Sequence, residues 1–172
     1  MPMLFLSFFR LPVPSRRRLL CALLFFILAP GLRAAEPAPT PRRLSAVIGG
    51  FLGKTYRVEL EGEKLIYTVL NPGNRVATRE TITPKPAQWT EFWRTLDEIG
   101  VWRWHTEYLN PAVLDGTQWS LDLAEAGHAV KAHGSNTYPE ADARPSRDAT
   151  PTKTFTRYLA ALRALLGDRP FE

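Results

Sequence analysis

The stretch TYRVELEGEKLIYTVLNPGNRVATRETIT, Thr55–Thr83, decides the fold. Tyr56, Val58 and Leu60 alternate with Arg57, Glu59 and Glu61, the period-two pattern of a half-buried strand. Glu61-Gly62-Glu63 can turn the chain, and Lys64–Leu70, rich in β-branched and aromatic residues, reads as the partner strand. Asn71-Pro72-Gly73-Asn74 is a strong turn signal, and Val76–Thr83 makes a third, more polar strand suited to a sheet edge. The expected unit is an antiparallel meander.

Downstream the period changes. Thr83-Pro84 or Lys85-Pro86 opens a helix, because proline is tolerated in a first turn. Trp89, Phe92, Trp93, Leu96 and Ile99 then recur at helical spacing up to Gly100. After the Asp115-Gly116 turn, Trp119, Leu121 and Leu123 alternate with Ser120 and Asp122, and His128–His133 returns beyond Glu125-Ala126-Gly127. Residues 140–149 are polar and aperiodic and read as a mobile surface segment. Thr150-Pro151 opens a second helix, with Phe155, Tyr158, Leu159, Leu162, Leu165 and Leu166 on one stripe and Gly167 as its stop. The order β-β-β-α-β-β-α predicts an α+β domain, an antiparallel sheet with two helices packed on one face. Upstream, residues 44–53 with Gly49, Gly50 and Gly53 fit a leading strand or a loop equally well.

The N-terminus reads differently. Arg16-Arg17-Arg18 precede the apolar run Leu19–Leu28, which Ala29-Pro30-Gly31 ends. Ala34 and Ala35 are the small residues where a signal peptidase would cut, between the two or after the second. The run is half the length, about 20 residues, that spans a bilayer, so a cleaved signal is favoured over a permanent anchor. Residues 1–34 are assigned as a signal peptide, 35–43 as a proline-rich spacer and 44–172 as a single domain. The exported product is expected in the periplasm or outside the cell, touching the membrane only in transit.

Charge and cysteine narrow the function. The chain carries 22 basic and 17 acidic residues. Five of the basic ones (Arg10, Arg16, Arg17, Arg18, Arg33) stand in the first 34 residues with no acidic one, leaving 17 against 17. A nucleic-acid binder keeps its basic excess in the folded domain, so that class is set aside. Cys21, the single cysteine, lies inside the apolar run and is lost on cleavage. The mature domain then has no disulfide and no thiolate chemistry.

The series Trp89-x-x-Phe92, Trp102-x-Trp104, Tyr108, Asp115-Gly116-x-x-Trp119, Gly134-Ser135-Asn136-x-Tyr138-Pro139 and Phe155-x-x-Tyr158-Leu159 resembles small bacterial exported domains of unknown function. In those, a DGxxW hairpin and a GSNxYP-like loop stand between two helices. The resemblance spans roughly residues 55–166 and implies a shared α+β fold, with no activity attached.

Candidate site residues follow from residue type. Trp89, Trp93 and Trp119 sit in apolar periodicity and are assigned to the core. Trp102 and Trp104 share a parity, opposite Arg103 and His105, and are the candidates for an aromatic surface that stacks on sugar rings. In the Gly134–Pro139 loop, Ser135, Asn136 and Tyr138 are the candidate ligand contacts, against the alternative that the loop satisfies its own backbone. A hydrolase would use His133 with Ser135 or Asp115, but no Gly-x-Ser-x-Gly elbow accompanies them. For a metal, His105, His128 and His133 with Asp115 or Asp122 show no ligand spacing, and His128 and His133 fall on opposite faces of one strand. No cofactor and no catalytic set is therefore expected. The expectation is a non-catalytic binding or accessory protein of the bacterial cell envelope, its partner an envelope protein or a glycan. A small hydrolase and a secreted protein inhibitor are the alternatives.

Overall fold

The computed structural model describes residues 40–50, 52–112 and 115–172. The expected signal peptide and most of the expected spacer, residues 1–39, lie outside the described residues. Among the described residues seven strands form one sheet: β1 (Arg43–Gly50), β2 (Thr55–Glu61), β3 (Lys64–Asn71), β4 (Arg75–Ile82), β5 (Glu107–Leu109), β6 (Thr117–Glu125) and β7 (His128–Ser135). Helix α1 (Pro86–Ile99) and a single 3-10 turn, Val101–Arg103, separate β4 from β5, and α2 (Lys153–Leu165) closes the sequence. The strand order is β4-β3-β2-β1-β6-β7-β5, antiparallel except for the β5–β7 pair.

The chain is therefore α+β with a mostly antiparallel sheet and two helices, but the finer order differs from expectation. β1, the central strand, begins at Arg43, the last residue assigned to the spacer, and occupies the first seven residues of the ambiguous segment 44–53. Leu44, Ala46 and Ile48 face the core while Ser45 and Val47 turn away. β1 joins the meander to the β6–β7 hairpin, pairing Ala46 with Val58 on one side and with Leu121 on the other. The short β5 was also not expected. Three residues carry no period, and β5 exists only because Tyr108 runs parallel to Gly134.

Register arranges the core in rows across the sheet. Tyr67, Val58, Ala46, Leu121 and Ala132 form one row; Val69, Tyr56, Ile48, Trp119 and Gly134 form the next. Phe155 of α2 meets Trp119 of that inner face at 4.9 Å between ring centroids. Trp89, Phe92, Leu96 and Ile99 of α1 complete the same core. The opposite face of the sheet presents exposed Arg57, Arg79, Lys131 and His133.

Local chemistry sets the helix ends. Pro86 occupies the first turn of α1, where the Gln88 side chain accepts a hydrogen bond from Lys85 N (2.8 Å). Gly100 ends it with φ 67°, a conformation glycine adopts without a Cβ penalty. For α2 the cap is Thr152, two residues beyond the expected Thr150, accepting from Phe155 N at 3.1 Å. The segment 140–149 is a tied loop rather than the free one its composition suggests. Ser146 N donates to Tyr138 O (2.8 Å), Tyr138 N donates to Ser146 Oγ (3.0 Å), and the Tyr108 hydroxyl donates to Ala143 O (2.8 Å).

Candidate functional site

The tryptophans separate into a core group and a surface group. Along α1, Trp89, Trp93 and Asp97 recur every four residues, so they share a helix face. The left-handed turn at Gly100 then folds Trp102 back onto that face. Trp89 is buried and stacks on Trp93 (6.0 Å, 18°), and Trp93 stacks on Trp102 (6.2 Å, 19°). His128, at the start of β7, lies 5.3 Å from Trp102 at 42°. The indole N–H of Trp102 donates to Asp97 Oδ1 at 2.7 Å, which fixes the ring. Trp93 and Trp102 are partly exposed and His128 is exposed. Aromatic rings thus run from the core out to solvent, beside a carboxylate and an imidazole.

Such a strip suits one kind of recognition. Ring carbons offer an apolar surface at low conformational cost, and Asp97 and His128 supply hydrogen-bonding atoms at its margin. The sequence offers Trp102 as a candidate for an aromatic surface, but it assigns Trp93 to the core and weighs His128 only as a metal ligand; the structure places both rings beside Trp102. Their meeting depends on the Gly100 turn and on the β6–β7 pairing, neither of which shows in local spacing.

Trp104 is not part of the strip. It is 6% exposed and packs edge-on against Trp119 (6.0 Å, 75°) and Tyr158 (5.4 Å, 78°). Equal parity would put Trp102 and Trp104 on one side of an extended segment. The 3-10 turn has three residues per turn, so two steps rotate the side chain by about 240° and separate them.

The Gly134–Pro139 loop is built for its own backbone. Asn136 is buried with φ 52°, its Oδ1 accepting from Thr117 N at 2.9 Å and its N donating to Thr117 O at 3.0 Å. A Cβ on Gly134 would stand 2.3 Å from Trp119 Nε1, the atom that donates to Thr137 O at 2.9 Å. Tyr138 is buried against Phe155 (4.7 Å); burial raises its phenol, and a hydrogen bond with Thr117 pulls it partly back. Ser135 Oγ accepts from Gln118 Nε2 at 2.7 Å on the opposite sheet face. Asn136 and Tyr138 are thus each buried, while Ser135 lies on the opposite sheet face with Gln118.

His133 shares that outer face and stands 3.7 Å from Glu107 Oε1. Among the described residues no hydrogen bond joins His133 to Ser135, and Asp115 belongs to the turn before β6. The His133 N–H donates to Thr106 O at 2.9 Å, and Ser120 lies opposite it in the β6–β7 register. His128 and His133 occupy opposite faces, as their spacing requires. Among the described residues no group of three potential metal ligands comes together, and no helix is long and apolar enough to cross a membrane.

No protein-family model matches the chain, and none of the curated proteins compared with it is similar enough to count as a relative.

Proposed function

We propose that this is a non-catalytic binding or accessory protein of the bacterial cell envelope, exported behind its N-terminal leader, with the Trp93–Trp102–His128 strip as its ligand face and a glycan as its ligand. The two helices are read as covering the inner sheet face, with the strip at their margin. One observation carries the reading: near-parallel, partly exposed indoles at 6.2 Å, one of them anchored to Asp97. Large aromatics are ordinarily consumed by the core, as Trp104 and Trp119 are here. The resemblance to exported bacterial domains and the formally neutral chain after the leader agree with an envelope role.

Affinity electrophoresis in gels containing soluble cell-wall or plant glycans tests it. Retardation of the native protein by one glycan, abolished by Trp102→Ala and weakened by Asp97→Asn, supports the reading. Equal mobility in every gel, or retardation that Trp102→Ala leaves unchanged, rejects it.

A further inference from the structure

The aromatic strip lies at the end of the strands marked by the β6–β7 turn, where Glu125 pairs with His128. At the other end Gly50 pairs with Thr117, and two cavities adjoin there. The larger, about 460 Å³, is lined by Lys54, Tyr56, Asp115, Thr117 and Glu172 among others. The smaller, about 330 Å³, opens toward Val47, Thr55 and Gln118. Gly49, Gly50, Asp115 and Gly116 border both.

Packing explains two of the glycines at this end. A Cβ on Gly49 would stand 2.7 Å from Thr55 Cα, and one on Gly116 would stand 2.0 Å from Asn136 Oδ1. Gly53 is different. Its φ lies outside the left-handed region, and among the described residues nothing stands within 4 Å of where its Cβ would be. The fold does not demand glycine there, yet its bare backbone lines the larger cavity. A glycine there leaves room for close approach of a ligand to the main chain.

The charges around that cavity are also unspent. None of the ion pairs among the described residues uses Lys54, Asp115 or Glu172, and all three are exposed. One ammonium faces a cavity shared with two carboxylates. Leu52, 84% exposed, borders the same space and offers an apolar contact.

We propose that this cleft binds a short peptide with a free ammonium and a free carboxylate. The peptide ammonium sits at Asp115 and Glu172, its carboxylate meets Lys54, and its backbone lies against Gly53. Charge complementarity on both termini gives the site its preference, since a blocked peptide would leave the site's own charges unmatched. The site is independent of the aromatic strip and stands or falls separately.

The test is a titration of the protein, expressed from the full chain, with trialanine and with N-acetyl-trialanine amide, read by the backbone amide signals in solution NMR. Trialanine should shift Gly53, Lys54, Gly116 and Thr117 saturably, and the blocked peptide should bind at least about tenfold more weakly. Asp115→Asn and Lys54→Met should each weaken trialanine about tenfold with the thermal midpoint unchanged, because both side chains are exposed. Gly53→Leu should abolish the shifts in a protein that still melts cooperatively. Absence of a saturable shift at about 1 mM trialanine would overturn the proposal. So would equal binding of the blocked peptide, or affinity untouched in all three variants.

Discussion

Asn136 reads as a ligand contact when the sequence is a string and as a backbone clamp once its neighbours are placed. Its amide side chain stands where the Thr117 N–H needs an acceptor, and its positive φ is one asparagine tolerates. Asn136→Ala should cost about 1–3 kcal/mol in denaturant unfolding without touching glycan retardation, since it leaves the partly buried Thr117 N–H unpaired. Tyr158 makes the opposite case. It is 1% exposed, and its hydroxyl has no hydrogen-bond partner among the described residues. Burial pushes its phenol far above the ordinary value of 10.0, and burial pushes Tyr67 up to about 12. Each phenol holds its proton more tightly folded than unfolded. Stability is therefore full below pH 10 and falls as pH rises through about 12. Tyr158→Phe should leave stability at pH 7 unchanged or raise it by about 1 kcal/mol, and should shallow the alkaline loss. Equilibrium unfolding from pH 7 to pH 11 checks both. A loss above about 2 kcal/mol at neutral pH would mean that the hydroxyl has a partner.

The helices and the three hairpins β2–β3, β3–β4 and β6–β7 were legible because their signals are local: Gly100, Pro86, the Asn71–Asn74 turn and the alternation at Trp119–Leu123 all act within a few residues. β1 and β5 were not, because pairing defines them. Ala46 meets Leu121 and Tyr108 meets Gly134 across intervening strands and, for Ala46, a helix, so no local window of sequence contains both partners. The same limit hid half of the candidate site, since Trp93 and His128 meet only through Trp102. Two consequences belong to elements. Hydrogen exchange should be slowest in β1 and β6, which are paired on both sides, and faster in the edge strands β4 and β5. Equal protection of β1 and β4 would contradict the central placement. Thr152 both caps α2 and donates to Pro139 O at 2.5 Å, joining the helix to the Tyr138 loop. Thr152→Ala should cost about 1–2 kcal/mol in thermal unfolding, with Thr152→Ser recovering most of it.

At the scale of the molecule, the sheet divides two kinds of environment. The inner face and helices bury an aromatic core running from Trp89 through Phe155 to Tyr138, while the outer face carries charge. Between them the proposed ligand surfaces lie at the two ends of the strands, the aromatic strip beside His128 and the charged cleft beside Gly53. The basic excess of residues 1–34 and the charge balance of the remainder were plain from composition, because charge is additive along a chain. Which tryptophan reaches solvent was not, because a single 3-10 turn sends Trp102 outward and Trp104 inward. Thermal melting of the protein expressed from the full chain, in the presence of soluble glycans, therefore tests the central claim most directly. A ligand that binds only the folded state raises the midpoint, by about 2.7 kcal/mol of stabilisation at a hundredfold excess over Kd. The account predicts a rise with one glycan class in the native protein and none in Trp102→Ala. A flat response across the glycans, or an equal rise in both proteins, would contradict it.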